Sequence, residues 1–238
     1  MLFKEQIVMN RPQITVLMPV YNGEKYLREA IESILAQTFS NYEFLIINDG
    51  SADQSVNIIT AYDDPRIKLV HNDHNTGIVS ALNKGLDLAR GELIARMDSD
   101  DISRPERLFQ QQNFMVLHPD VGVCGTWIEY LETNSFWTPP TEHNQIKARL
   151  LIDNPLAHPT VMIRTDVLRK HHLYYQPLYY LAEDYELWTR MAELTRLANI
   201  PQPLLKYRLH SRQLSRENVE KQREMTLLIQ EKLRSAIH

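Results

Sequence analysis

The chain has 238 residues, a formal net charge of -4 and one cysteine, Cys124; it is long enough for a large core without disulfides, fits a reducing compartment and is too acidic for a dedicated nucleic-acid binder. Its seven glycines exclude more, because no two are one residue apart and none precedes a lysine, which removes the G-x-G-x-x-G dinucleotide fingerprint and the Walker A loop. No stretch approaches the ~20 continuous apolar residues of a membrane helix, and MLFKEQIVMN lacks a signal-peptide core, so a soluble, cytoplasmic protein is expected.

Ile14–Val20 is an almost continuous apolar run, the pattern of a strand buried on both faces. Glu24–Gln37 then carries Leu27, Ile31, Ile34 and Leu35 at helical spacing. Tyr42–Ile47 predicts a second strand, Gln54–Tyr62 a helix, Ile67–Val70 a strand, Ile78–Ala89 a helix and Leu93–Met97 a strand. This alternation predicts a mostly parallel sheet covered by helices. Ligands of such sheets bind beyond the carboxyl ends of the strands, where Tyr21 and Asn22, then Asn48, Asp49, Ser51 and Asp53, then Asp98–Asp101 collect.

Beyond residue 102 the pattern becomes irregular. Helices are expected at Arg104–His118, Glu142–Leu151, Asp166–His171 and Glu183–Leu194, with strands in Val121–Leu131 and at Ala198–Ile200 and Leu204–Tyr207. Pro159–Ile163 is expected to be extended, and Arg216–Ile237 is amphipathic. No repeat or linker divides the chain, so residues 1–238 are read as one domain.

Asp98-Ser99-Asp100 directly follows an apolar strand. Taken alone it is either an acidic turn or an oxygen-rich site for Mg or Mn shared with a diphosphate. An EF-hand is excluded, since its glycine would fall at Ser103 and its closing glutamate at Phe109. Asp49, in N-D-G-S, is a turn residue or an acceptor for a base N–H or ribose hydroxyl. Asp184 opens a helix with Trp188 and Met191 on its face, where the helix dipole lowers and burial raises a carboxyl pKa; a capping role and a general-base role both fit. His210 lies in a polar loop with Tyr207, Arg208 and Ser211.

In order, the blocks VLMPVYNGEKYLREAIESILAQTF, FLIINDGSADQS, ARMDSDDISRPERL, AEDYELWTRM and YRLHSRQLS resemble the bacterial inverting glycosyltransferases of family 2, from about residue 14 to 215. The resemblance implies a GT-A fold, a Rossmann-like α/β sheet with an irregular α+β acceptor-binding half. The nucleotide-binding half would span about 14–101, the acceptor half about 102–215 and a C-terminal helix 216–238. It further implies that Pro19, Tyr21 and Glu24 line the nucleotide and that Asp49 contacts the base. Asp98 and Arg208 would bind the nucleotide sugar, Asp100 and His210 a divalent ion (Mn or Mg), and Asp184 would be the catalytic base. Asp101 extends the acidic element, and Asn75 and Gly77 fit a nucleotide-proximal block.

The activity so implied is metal-dependent, inverting transfer of a hexose from a nucleotide sugar to a hydroxyl of a saccharide or lipid-linked acceptor, in cell-surface polysaccharide synthesis. UDP-linked donors are the commonest in the family. Two other readings stand beside it, a nucleotidyltransferase making a nucleotide sugar and a non-catalytic nucleotide-binding module. For the amphipathic end, packing on its own domain, a homodimer contact and peripheral docking at the inner face of the membrane are the three uses weighed.

Overall fold

The computed structural model of the chain describes residues 11–211, 213 and 218–235. Its first part is β1 (Ile14–Val20), α1 (Leu27–Leu35), β2 (Tyr42–Asn48), α2 (Ser55–Thr60), β3 (Ile67–His71), α3 (Ile78–Leu88) and β4 (Leu93–Arg96). The second part is β5 (Ile102–Ser103), α4 (Arg107–Leu117), β6 (Val121–Tyr130), β7 (Phe136–Trp137), α5 (His143–Arg149), β8 (Met162–Arg164) and α6 (Thr165–Lys170), then α7 (Glu183–Met191), β9 (Arg196–Tyr207) and α8 (Val219–Ser235). Both parts build one sheet in the order β3-β2-β1-β4-β8-β6-β9-β5, with β7 beside β6.

The long ladders, β1 with β2 and β4, β2 with β3, and β6 with β9, are parallel. β8 is short and antiparallel to both β4 and β6. Every residue of β1 and β2 is buried, as unbroken apolar runs require when helices cover both faces of a sheet. On one face Ile14, Val16 and Met18 pack with Leu27, Ile31 and Ile34 of α1. On the other, Leu17 and Leu45 pack with Leu82 and Leu86 of α3, in a core that also holds Trp188 of α7. α3 lies so close to β1 that a Cβ on Gly85 would fall 2.2 Å from Leu17 Cδ1.

The second part departs from the expected elements in several places, three of which bear on the site. The two strands expected at 198–200 and 204–207 are one strand, β9, which absorbs Pro201 and Pro203 at a shift in register where Ile200 pairs Thr126 and Pro203 pairs Trp127. The helix expected from Arg104 starts at Arg107, because Ile102 and Ser103 pair with Lys206 and Leu205 and the Arg104 N–H donates to the Leu204 carbonyl. His158–Thr160 forms a single 3-10 turn before β8 instead of an extended run. The amphipathic stretch is helical over Val219–Ser235; the ends of the expected range, residues 216–217 and 236–237, lie outside the described residues.

Candidate functional site

β1 has β2 on one side and β4 on the other, so chain order reverses there, and the carboxyl ends of these strands open a crevice. The β1–β2 ladder runs to Val20–Asn48, but the β1–β4 ladder stops at Leu17–Arg96. Pro19 therefore stands beyond the last β4 partner, where its missing N–H leaves no ladder bond unmade. The loops that follow β1 and β4 then meet. A Cβ on Gly23 would lie 3.3 Å from Ser99 Oγ.

The loop after β1 is stitched to the loop after β2. Asn22 N–H donates to Ser51 Oγ at 3.0 Å, Gly23 N–H to Ser55 Oγ at 2.9 Å and Glu24 N–H to Asp53 Oδ2 at 2.9 Å. In return Glu24 Oε2 accepts from Gln54 N–H and Asn22 Oδ1 from Ala52 N–H, both at 2.9 Å. Glu24 thus fixes the crevice wall and Tyr21, half exposed, remains available to a ligand.

Asp49 is buried and accepts from four groups: Asn72 Nδ2 at 2.7 Å, Thr76 N–H at 3.0 Å, Thr76 Oγ1 at 2.7 Å and Gly77 N–H at 2.9 Å. Burial pushes its carboxyl up, but these donors together outweigh burial and hold it below the ordinary value. Asn75 caps the same turn by accepting from Gly77 N–H. The turn presses on Gly50 (φ +70), where a Cβ would fall 2.5 Å from His74 C, so only glycine fits.

The carboxylates of Asp98, Asp100 and Asp101 each offer an oxygen within 4.8 Å of the others. His210 Nε2 lies 2.8 Å from Asp100 Oδ2, with its ring 5.0 Å from that of Tyr26. Arg208 donates its backbone N–H to Asp101 Oδ1 and its Nε to the Asp100 carbonyl, both at 2.9 Å. Its Nη2 pairs with Glu29 at 2.8 Å and its guanidinium covers the Tyr26 ring. The strand β9 thereby delivers residues 208–210 directly onto the acids. Burial first, and the Asp98 charge second, raise the Asp100 carboxyl and raise Asp101 further. Asp101 Oδ2 is buried with no hydrogen-bond partner. Crowded oxygens, one of them orphaned, together with an imidazole, suit a hard divalent cation, which would reverse the repulsion that raises these acids.

Glu183 and Asp184 open α7. Asp184 accepts from Asn154 Nδ2 at 2.8 Å and from Tyr185 N–H at 2.7 Å. Burial raises its carboxyl against the pull of that N–H, Arg96 and Asn154. Glu183, pushed up to about 7 by burial and then by Asp184, accepts from Leu181 N–H at 2.7 Å. The two titrate as a pair, both raised first by burial.

All the expected residues except Asp184 thus cluster at the ends of β1, β2 and β4 with the 208–210 segment, and Asp184 stands on α7. Four contributors were not expected from sequence. Arg96 is buried and ion-paired with Asp98, Asn154 holds Asp184, and Glu29 with Tyr26 anchors Arg208. Only Arg96 carried a signal, a cation one residue short of the acids in an otherwise apolar strand.

The model of the family "Glycosyl transferase family 2" matches residues 15–175. An uncharacterized glycosyltransferase of Haemophilus influenzae is 35% identical over 220 residues, covering 87% of this chain and 68% of the relative. The O-antigen biosynthesis glycosyltransferase WbnJ of Escherichia coli is 35% identical over 209 residues, 84% of this chain and 80% of its own length. Among solved structures, Staphylococcus aureus TarS 1-349 in complex with UDP-GlcNAc aligns with a TM-score of 0.75 at 23% identity, over 91% of this chain and 65% of that one. The chain therefore spans less than two thirds of that structure, and the two share a fold.

Proposed function

Because the chain belongs to glycosyl transferase family 2 and has the mixed α/β, GT-A fold, we propose that it transfers a hexose from a nucleotide sugar to an acceptor hydroxyl, with inversion. The observation that carries this reading is the cluster of Asp98, Asp100, Asp101 and His210 at the reversal point of the sheet. Tyr21 and the stitched loops of residues 22–24 and 51–55 line the nucleotide side, with Asp49 keeping the 72–77 turn in place toward the base. Asp98 and Arg208 meet the ribose and diphosphate.

Asp100 and His210, beside Asp98 and Asp101, hold a divalent ion (Mn or Mg), whose charge when bound offsets that of the departing diphosphate. Asp184 takes the proton of the acceptor hydroxyl as its oxygen forms a bond to the anomeric carbon. The bond from that carbon to the diphosphate oxygen breaks on the opposite face, so one displacement inverts the configuration. A buried carboxylate with a raised pKa is a better proton acceptor near neutral pH than an exposed one.

WbnJ, by its name an enzyme of O-antigen biosynthesis, favours a saccharide or lipid-linked saccharide acceptor in cell-surface polysaccharide synthesis. The TarS complex favours UDP-linked donors. No helix among the described residues is long and apolar enough to cross a membrane; we take the enzyme to act in the cytoplasm, with Leu227 and Leu228 of α8 exposed for a peripheral membrane contact or a homodimer. Thermal shifts with UDP, GDP, CDP and dTDP, each with and without Mn, test the reading. A rise for one nucleoside diphosphate that depends on Mn is expected, and the absence of any rise together with no hydrolysis of the matching nucleotide sugars would overturn it.

A further inference from the structure

Among the described residues, four other than glycine take a positive φ: Asn22, Asn134, His172 and Leu181. Asparagine and histidine visit the left-handed region readily, whereas a bulky Leu does so only when its surroundings hold it there. Leu181, at φ +79, stands three residues before Asp184. Side chains take both of its backbone groups. Its N–H donates to Glu183 Oε2 at 2.7 Å, and its carbonyl accepts from Gln222 Nε2 of α8 at 3.0 Å. The next residue, Ala182, donates its N–H to the Tyr179 carbonyl at 2.8 Å and accepts from Glu186 N–H at 3.0 Å, which closes the first turn of α7. The conformation of Leu181 therefore sets how the chain enters the helix and aims Asp184 at Asn154.

α8 does not need Gln222 in order to stay in place. Gln222, Met225, Ile229 and Leu233 recur at helical steps along one side of it. Ile229 is buried in the core that holds Trp188 of α7, with Met225 and Leu233 packed against it. Gln230 Nε2 donates to the Ile152 carbonyl, Lys232 Nζ pairs with Glu186 Oε1 at 3.3 Å, and Lys221 lies over the Tyr180 ring. One half-buried amide bond adds little to that attachment, yet it falls on the carbonyl of the left-handed residue.

We propose that Gln222 is a positioning residue for the transfer reaction: its amide holds Leu181 in the left-handed conformation and so keeps the first turn of α7, with Asp184 on it, facing the acceptor hydroxyl. This rests on the reading of Asp184 as the base. Gln222→Met keeps the length and the apolar contacts of the side chain and removes the donor. Two measurements on the full chain test it. One is hydrogen exchange without ligand. The other is turnover, with Mn and with water as acceptor, of the nucleotide sugar whose nucleoside diphosphate raises the melting temperature.

In Gln222→Met the amides of residues 181, 182 and 186 are expected to exchange faster, while those of 225–233 keep their protection. A fall in kcat of about 10–100-fold with KM unchanged is expected alongside, the cost of a misplaced group. Glycine takes a positive φ without strain. Leu181→Gly in the Gln222→Met background is therefore expected to return most of kcat. Leu181→Ala, which removes the side chain and keeps the strain, is expected to return none of it. A bond that served stability alone would not separate the two.

Wild-type exchange in Gln222→Met, a wild-type kcat, or glycine no better than alanine overturns the proposal. So does faster exchange throughout 225–233, which would mean that α8 itself has come away. The two readings fail separately. Turnover by Asp184→Asn at the wild-type rate removes the base and leaves the exchange at 181–186 to be read, whereas an inactive Asp184→Asn with unaltered exchange in Gln222→Met removes only the part given to Gln222.

Discussion

Asp100 and Asp101 after β4 and Glu183 and Asp184 opening α7 are all raised in pKa by loss of solvent, yet the groups around them differ. Asp100 and Asp101 repel each other and Asp98 within 4.8 Å, face the His210 imidazole, and leave one oxygen without a donor. Asp184 has a single carboxylate neighbour and is held by neutral donors, the Asn154 amide and the Tyr185 N–H. A set of crowded oxygens is relieved by a doubly charged ion, and a carboxylate with one such neighbour is relieved by a proton. The same amino acid thus serves two chemistries according to how many others of its kind stand beside it.

Four substitutions break or sharpen this contrast. Asp184→Asn keeps the side chain's shape and one acceptor oxygen, loses one of its two donors and cannot take a proton, so kcat is expected to fall about 10²–10⁴-fold while nucleoside diphosphate affinity, measured by calorimetry, stays unchanged. His210→Ala is expected to weaken Mn binding about 10–100-fold and to leave the pH dependence of the α7 pair unaltered. If it moved both, the two groups would be one.

The third concerns stability. Glu183, folded, keeps its proton up to about 7, whereas unfolded it loses it near the ordinary value of about 4.3. Between these values the folded state binds more protons, so stability falls as pH rises through the window. Glu183→Gln removes that slope and is expected to raise stability at pH 8 by about 1–3 kcal/mol, read as a higher Tm. The smallest effect belongs to Glu29→Gln, which breaks a half-exposed pair with Arg208; less than about 1 kcal/mol is expected, with a modest rise in hydrogen exchange at residues 208–211.

The first hundred residues were legible because β1, β2 and β4 are sealed on both faces. Ile14–Val20 and Tyr42–Ile47 then read as apolar runs and the intervening helices as a 3.6-residue period. The same reasoning split β9 in two, because Pro201 and Pro203 look like breakers and the register shift that accommodates them depends on β6, some 75 residues away. The acids after β4 could be picked out by residue type and strand end alone. The partners of Asp49 could not, since its donors come from residues 72, 76 and 77. Arg96 was passed over for a similar reason. A lone arginine at a strand end reads as solvated until its side chain is seen buried beside Asp98.

The end of β9 is clasped on both edges, Leu205 and Lys206 pairing with Ser103 and Ile102 on one side and with Ile128 and Glu129 on the other. Arg208–His210 follow at once, without a spacer. A strand clasped this way behaves as a ruler marked in steps of two. Deleting one residue between Leu204 and Tyr207 shortens it by ~3.3 Å and turns each later side chain to the opposite face, carrying the imidazole off Asp100. A change of two residues preserves the facing and alters only the reach. Two residues still carry the imidazole ~6.6 Å along the strand, off its 2.8 Å contact with Asp100, so the site depends on counting as much as on residue type.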